Sequence, residues 1–225
     1  MFVLTSVSRV YGAGAQQSVA LHDVSLQVGR GEFVAIAGPS GSGKTTLLNL
    51  VGGIDAPTSG RIAIDGRELS RLTPSDLADF RLAKIGFVFQ QFSLIPVLTA
   101  AENVELPLLF RKDVAAAERK RAVASALDRV GLAGKAGRRP AELSGGEQQR
   151  VAVARAVAGN PEIVLADEPT ANLDHETGGA VVALLLELNR ERGTTFLYAT
   201  HDPELVGLAG RVVTLRDGRI TGDVA

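Results

Sequence analysis

The chain has 225 residues, of which 45% are hydrophobic and 22% are charged, so it fits one globular domain with a sizeable core. Its formal net charge of -1 argues against a dedicated nucleic-acid surface, and the lack of cysteine excludes disulfides, iron–sulfur clusters and cysteine-based zinc sites. The N-terminus lacks the basic start and apolar stretch that are typical of a signal peptide. The apolar run at 180–186 is too short to span a bilayer. We therefore expect a soluble, cytoplasmic protein.

The first part of the chain is predicted to be mainly β-structure around one helix. Alternating or apolar runs predict strands at 2–7, 19–28, 33–37, 61–64 and 85–89. A helix is expected at 45–51, where Gly52 and Gly53 would end it.

The pattern becomes helical after residue 92 and alternates again after residue 160. Helices are predicted at 99–109, 115–130 and 144–159, with Asp113 as the candidate cap of the second one. Beyond them we expect a strand at 163–166, a helix at 180–192 ended by Gly193, a strand at 195–199, and a hairpin that turns at Asp217 and Gly218.

Strands that alternate with helices indicate a mostly parallel sheet. The fold class is therefore predicted to be α/β, in one domain spanning 1–225. Within it, 1–91 and 161–225 would form the α/β core, and about 92–160 would form an inserted helical lobe.

A glycine-rich run connects the predicted strand 33–37 to the helix that follows. Residues 38–45 read Gly-Pro-Ser-Gly-Ser-Gly-Lys-Thr, and in a strand–loop–helix context this pattern is typical of a phosphate-binding loop. Glycines let backbone N–H groups wrap an anion, and the helix start adds further N–H donors. We expect Lys44 to contact the β- and γ-phosphates and Thr45 to bind Mg²⁺. The remaining candidate nucleotide-binding residues here are Gly38, Ser40, Gly41, Ser42, Gly43 and Thr46.

Four polar positions follow the ends of predicted apolar strands, where ligands of parallel sheets bind. Besides Lys44, they are Gln90, the pair Asp167 and Glu168, and His201. Asp167 is a candidate Mg²⁺ ligand, and Glu168 is placed to take the proton of an attacking water. Gln90 could orient that water or touch the metal, and it could equally be a polar loop residue. His201 could hydrogen-bond the γ-phosphate, although a lone histidine near a turn is often structural.

A second glycine-bearing helix start follows Leu143. Ser144 precedes Gly145 and Gly146, and Glu147 stands three residues after it, which is the pattern of a capping box. The exposed N–H groups of such a start also make an anion site. Since the phosphate loop already binds one nucleotide, a second anion site is most useful for the ATP of a neighbouring molecule.

These motifs together resemble the nucleotide-binding subunit of an ATP-binding cassette (ABC) transporter over essentially the whole chain. The signature is Leu-Ser-Gly-Gly-Glu-Gln at 143–148, and Ile-Val-Leu-Ala-Asp-Glu-Pro at 163–169 and Ala-Asn-Leu-Asp at 171–174 follow it. The resemblance implies ATP and Mg²⁺ as ligands and catalysis by Glu168, His201, Gln90 and Lys44. It also implies a P-loop NTPase core with an N-terminal antiparallel β-subdomain and an inserted α-helical lobe.

The resemblance further implies a head-to-tail dimer of two copies with ATP between them. Lys44 of one copy and Ser144, Gly145 and Gly146 of the other would then bind one ATP, and Asp174 would act across the dimer. Tyr11 stands at the position of the family's adenine-stacking aromatic, although it could be an ordinary turn residue. Thr45, Gln90 and Asp167 would hold the metal.

Residues 89–99 and 102–108 are similar to the lipoprotein-release and macrolide-export group, which also contains exporters of haem and antimicrobial peptides. Ser93 and Ile95 replace the group's usual asparagine and leucine. This likeness implies a peripheral subunit on the cytoplasmic face of the membrane. Its partner would be a permease with four spanning helices and a large extracytoplasmic domain, which pulls mechanically on its cargo. The segment 92–98 is the candidate contact with the permease, or else it packs in the core of the helical lobe.

Two other functions compete with a transporter role. A soluble ABC ATPase acting on nucleic acid or ribosomes is disfavoured because this chain has one cassette, no cysteine and no long coiled coil. A cell-division ABC ATPase, whose membrane partner moves nothing, stays open as the alternative.

Overall fold

The computed structural model describes residues 1–225 except for the side chains of Ala15 and Glu204. The strands are β1 Phe2–Tyr11, β2 Ser18–Val28, β3 Phe33–Ala37, β4 Ser59–Ile64, β5 Arg67–Glu68, β6 Ile85–Val88, β7 Ile163–Asp167, β8 Thr195–Thr200, β9 Arg211–Arg216 and β10 Arg219–Val224. The α-helices are α1 Lys44–Val51, α2 Pro74–Lys84, α3 Ala100–Leu109, α4 Ala116–Arg129, α5 Gly145–Val157, α6 His175–Arg192 and α7 Pro203–Val206.

The strands form two sheets, as the sequence predicted. One is antiparallel with the order β2-β1-β4-β5, and the other has the order β10-β9-β3-β8-β7-β6. In the second sheet only the β9–β10 pair is antiparallel, and the strands from β9 to β6 run parallel. The α/β fold with a mostly parallel sheet and an N-terminal antiparallel β-subdomain is therefore confirmed.

Both faces of the parallel sheet are covered by apolar side chains. Successive residues of a strand point to opposite faces, so Phe33 and Ala35 join one hydrophobic cluster while Val34 and Ile36 join the other. The first cluster lies under α3, α4, α5 and α6, and the second lies under α1, α2 and the antiparallel sheet. Since α5 also packs against β6, the helices of 100–157 share a core with the sheet. The division of the chain into a core and a separate lobe stays a prediction.

Several local signals have the structure that their chemistry predicts. Asp217 and Gly218 have φ values of 48° and 72°, as a tight hairpin turn with two left-handed residues requires. Gly193 ends α6 in the left-handed conformation, with φ of 65°. Ser144 and Glu147 form the expected capping box at the start of α5.

The predicted cap of the second middle helix is wrong. The residue before α4 is Ala115, which provides no side-chain cap, and Asp113 instead binds Arg111 with its Oδ2 2.5 Å from Nη2. An arginine two residues away is the stronger partner for this carboxylate, because its guanidinium offers two donors.

In the described part of the chain, no helix combines the length and the hydrophobicity that crossing a membrane requires.

Candidate nucleotide site

The carboxyl ends of β3, β6, β7 and β8 meet at one edge of the parallel sheet. A cavity of about 290 Å³ opens there, and it is lined by most of the phosphate-loop and catalytic residues that were predicted from the sequence. Its lining is Ser40, Gly41, Gly43, Lys44, Thr45, Thr46, Gln90, Glu168 and His201.

The glycines of residues 38–45 are required by close backbone packing. Gly43 has φ of 104°, and a β-carbon there would lie 2.5 Å from the carbonyl oxygen of Ala20. A β-carbon at Gly38 would lie 2.2 Å from the carbonyl oxygen of Leu215. Both distances are below any tolerable contact, so the loop wraps tightly between the two sheets only because these side chains are absent. At Gly41, by contrast, nothing lies within 4 Å, so the loop is open at that residue.

Lys44 is folded back over the loop that precedes it. Its Nζ donates to the carbonyl oxygens of Gly38 at 2.8 Å and Pro39 at 3.1 Å, and it lies 3.4 Å from Oε1 of Glu168. Only 6% of the lysine side chain is exposed. A buried ammonium group with these partners fixes a positive charge at the cavity wall, where a phosphate would need it.

Glu168 is held from three sides. Nδ1 of His201 lies 3.0 and 2.9 Å from its two carboxylate oxygens, and Lys44 approaches Oε1. Its backbone has φ of 46°, in the left-handed region, and its N–H donates to the carbonyl oxygen of Ala199 on β8. This conformation costs on the order of 1–3 kcal/mol in a non-glycine residue and is typical of functional sites.

Asp167 and Thr45 are suitable ligands for a divalent cation. Oδ1 of Asp167 is buried and lacks a hydrogen-bond partner. Burial raises the pKa of this carboxyl group, and a hydrogen bond with the Thr45 hydroxyl and the charge of Lys44 act against that rise. A carboxylate and a hydroxyl are ligands that Mg²⁺ prefers, and an unpartnered buried carboxylate oxygen fits such an ion. Among the described residues, no group of three or more His, Cys, Asp or Glu forms a metal cluster, so this site would take further ligands from substrate or water.

Gln90 follows β6, and its backbone is tied to the segment after Glu168. Nδ2 of Asn172 donates to the carbonyl oxygen of Gln90 at 2.8 Å. Sequence reasoning missed this contact because the two residues are 82 positions apart and neither belongs to a helix or strand. The contact couples the loop after β6 to the loop after β7.

Other nominated residues lie outside the cavity. Oγ of Ser144 accepts from the backbone N–H of Glu147 at 3.3 Å, and Oδ1 of Asp174 accepts from that of Thr177 at 3.0 Å, so each caps its own helix. Gly145 and Gly146 follow in the first turn of α5, where a β-carbon at Gly146 would lie 2.4 Å from the Thr177 methyl group. The start of α5 therefore packs against α6 and does not reach the cavity of its own chain.

Tyr11 also lies outside the cavity, and its ring is held by two residues that the sequence analysis missed. Its hydroxyl donates to Oδ2 of Asp55 at 2.7 Å, and the Arg9 guanidinium lies 4.5 Å from the ring centroid. Arg9 also pairs with Asp55 at 2.7 Å. The contact with Arg9 could have been found, because alternate residues of a strand share a face, whereas nothing local indicates Asp55.

A second and more apolar cavity, called here the groove, lies between α2, β6 and α3. It measures about 410 Å³, and its charged lining residues are Arg81, Arg111 and Arg155, with no acidic side chain among the lining. Phe87 and Phe89 stack beside it with their ring centroids 5.7 Å apart. The adjacent segment 92–98 is partly exposed, and Val97 is 72% exposed.

Comparison with known proteins places the same pattern in one family. The family model described as "ABC transporter" matches residues 21–171. An uncharacterized ABC transporter ATP-binding protein of Thermotoga maritima is 49% identical over 219 residues, which cover 97% of this chain and 93% of that protein.

Solved structures agree with that match. The ATP-binding cassette MJ0796, in a dimeric post-hydrolysis state bound to ADP and Pi, has a TM-score of 0.91 at 46% identity, covering 99% of this chain and 97% of its own. The cbiO1 protein of Clostridium perfringens, part of the ABC transporter complex cbiONQ, has a TM-score of 0.89 at 30% identity, covering 99% of this chain and 87% of its own.

Proposed function

Since the chain belongs to the ABC transporter family and is an ABC-type ATPase, we propose that it is the ATP-hydrolysing subunit of an exporter that pulls mechanically on its cargo. The single observation that best supports the ATP-hydrolysing role is the cavity in which Lys44, Gln90, Glu168 and His201 converge beside the phosphate loop. The lipoprotein-release and macrolide-export subgroup remains part of the proposal and rests on residues 89–108.

The phosphate loop and Lys44 bind the triphosphate. Backbone N–H groups of the loop and the start of α1 face an anion, and the ammonium group of Lys44 moves from the carbonyls of Gly38 and Pro39 to the β- and γ-phosphates. Thr45, Asp167 and Gln90 would hold Mg²⁺, which when bound neutralises charge on the β- and γ-phosphate oxygens.

Glu168 is the general base for the attacking water. The water oxygen bonds to the γ-phosphorus, the bond to the ADP oxygen breaks, and the water proton passes to the carboxylate of Glu168. His201 holds that carboxylate through Nδ1, so the base keeps its orientation when Lys44 turns to the phosphates. Fixing the base in advance lowers the entropic cost of reaching the transition state.

We propose that two copies act as a head-to-tail homodimer. The support from this chain is that the capped start of α5, with its free N–H donors, lies outside its own cavity. In a twofold dimer both copies use the same surface, so Ser144 and Gly146 of each copy would close the ATP site of the other. Two further residues are proposed to contribute to the ATP site of the dimer: Asp174, and Tyr11, whose ring would stack on the adenine.

The groove is proposed as the docking site for a cytoplasmic segment of the permease. Its lining is apolar with arginines and without acidic side chains, which suits an amphipathic segment that carries a carboxylate. Phe110 is 68% exposed and lines the groove, and the segment 92–98, which reaches the groove at Ser93, exposes Ile95 and Val97. Exposed apolar side chains of this kind mark interaction sites.

Co-purification from gently solubilised native membranes tests the assignment. We expect the tagged chain to recover a permease with four spanning helices and a large extracytoplasmic domain. V97E should lose that partner, whereas V224E, at a similarly exposed position (68%) on β10, should keep it. Recovery with ribosomes or nucleic acid alone would contradict a transporter role. A membrane partner whose loss stops cell division without a cargo defect would favour the cell-division alternative.

A further inference from the structure

A half-buried arginine on α5, Arg155, holds the chain just after Gln90. Its Nη1 donates to the carbonyl oxygen of Ser93 at 2.5 Å, and its Nη2 donates to that of Phe92 at 2.9 Å. Burial lowers the pKa of Arg155, and among the described residues no carboxylate pairs with it. Both hydrogen bonds of this half-buried guanidinium go to consecutive carbonyl groups of one loop, so the contact holds this segment in place.

The held segment has a strained backbone. Ser93 has φ of 50°, in the left-handed region that serine rarely adopts, and its hydroxyl donates to the carbonyl oxygen of Gln91 at 2.8 Å. Such a conformation persists only where surrounding contacts determine it. The two bonds from Arg155 are contacts of this kind.

Gln90 lies between two points that are both fixed to α5. Val88, two residues before it, ends β6, and Phe92, two residues after it, is held by Arg155. β6 also touches α5 beside the arginine, because a β-carbon at Gly86 would lie 2.3 Å from the carbonyl oxygen of Ala156. A chain of three residues between two fixed points has little freedom, so the position of Gln90 follows that of α5.

We propose that Arg155 is a positioning residue for ATP hydrolysis, which fixes Phe92 and Ser93 so that Gln90 reaches the reacting phosphate. This inference rests on the proposed function and adds a physical link to it. α5 begins at the Ser144 anion site and carries Arg155 near its other end, about 16 Å further along at 1.5 Å per residue. Arg155 and Ser93 also line the groove. Nucleotide on the partner copy and a segment in the groove would therefore both act on Gln90 through the same guanidinium.

A double-mutant cycle on the purified full chain tests the proposal. R155M keeps an unbranched apolar stem and removes both donors, so we expect kcat for ATP to fall about tenfold or more with KM nearly unchanged. In a Q90A background, R155M should cost less than about twofold further, because both changes act through Gln90. R150M is the matched control, since Arg150 lies on the same helix and donates to a different carbonyl, that of Val130.

The outcomes separate this proposal from the function on which it rests. If Q90A lowers kcat but R155M does not, or if their losses multiply, the role of Arg155 is wrong and the proposed function stands. If Q90A itself has the wild-type rate, the role of Gln90 fails and this proposal fails with it. Should R155M not fold by thermal melting, R155K takes its place in the cycle, with an intermediate loss of kcat and the same lack of additivity expected.

Discussion

Glu168 lies between two basic side chains, Lys44 and His201, and this arrangement sets what its removal should do. Glutamine at this position keeps the size of the side chain and can still bond His201, but it cannot take a proton from water. We therefore expect E168Q to bind ATP with at least wild-type affinity and to hydrolyse it about 10²–10⁴-fold more slowly. Phosphate release and equilibrium binding of ATP measure the two effects separately.

The matched control for that variant is E187Q on the exposed face of α6, which removes one carboxylate far from the cavity. It should hydrolyse ATP at the wild-type rate. A normal rate in E168Q would show that another group accepts the proton.

The carboxylate of Asp167 is expected to lower the stability of the fold while being required for ATP hydrolysis. Its carboxylate is half-buried, has one buried oxygen without a partner and lies beside the charge of Glu168. D167N removes the buried charge, so without ATP and Mg²⁺ it should raise Tm, by about 2–4 °C for each kcal/mol gained. ATP hydrolysis should meanwhile be lost because the metal ligand is gone. D79N, at an exposed position on α2, should change neither, and a lower Tm in D167N would contradict this account.

At the scale of single elements, the start of α5 combines a structural role with a proposed binding role. Aspartate caps helices as well as serine does, so S144D should leave the Tm of the chain nearly unchanged. Its carboxylate would however repel a triphosphate brought by the partner copy. We expect kcat/KM for ATP to fall about tenfold or more, measured against S125D, which adds the same charge at an exposed position on α4. Wild-type hydrolysis by S144D would leave Ser144 with capping alone.

Element boundaries could be predicted where a local signal determines them. The capping boxes at Thr99 and Ser144 and the left-handed Gly193 lie within a residue of the predicted ends. α2 was missed because its apolar pattern is weak: Phe80 is its only buried side chain among the described residues. α6 begins at His175, five residues before its predicted start, because Asp174 caps it although the first turn is polar with two glycines.

The sequence predicted those site residues that a local pattern, such as the end of a strand, identifies. Strand ends gave Gln90, Asp167, Glu168 and His201, since parallel strands deliver their carboxyl ends to one edge. The contacts of Arg155 and Asn172 with the Gln90 loop join residues 62 to 82 positions apart. No local pattern encodes such contacts, because they arise only when the helix and loops pack together.

At the scale of the whole molecule, several helix-capping carboxylates should make the fold sensitive to acid. Backbone hydrogen bonds at Thr99 and Arg139 hold the pKa of Glu102 and Glu142 below the usual range. A hydrogen bond with Lys135 does the same to the pKa of Glu147, and the N–H of Thr177 to that of Asp174.

A lowered folded pKa means that the unfolded chain binds more protons as the pH falls through the ordinary carboxyl range. The stability from these groups is therefore complete above about pH 5 and is lost as the pH falls through their folded pKa values. The urea concentration at which half of the chains are unfolded should decrease as the pH is lowered from 5 to 3. E102Q should make this decrease smaller. A midpoint that is constant over this range would mean that the caps contribute little.

Mixing two impaired variants tests whether the active assembly is a head-to-tail dimer. In such a dimer each site takes Glu168 from one copy and Ser144 from the other. A heterodimer of E168Q and S144D therefore has one site with both changes and one site with neither. If monomers are mixed in equal amounts before ATP is added, about half of the dimers are mixed and each has one intact site of two, so activity should recover to about a quarter of wild type. E168Q mixed with D167N should show no recovery, because both changes lie on the same side of the site. A mixture of E168Q and S144D that gives only the average of its two components would mean that each chain hydrolyses ATP without a residue from its neighbour.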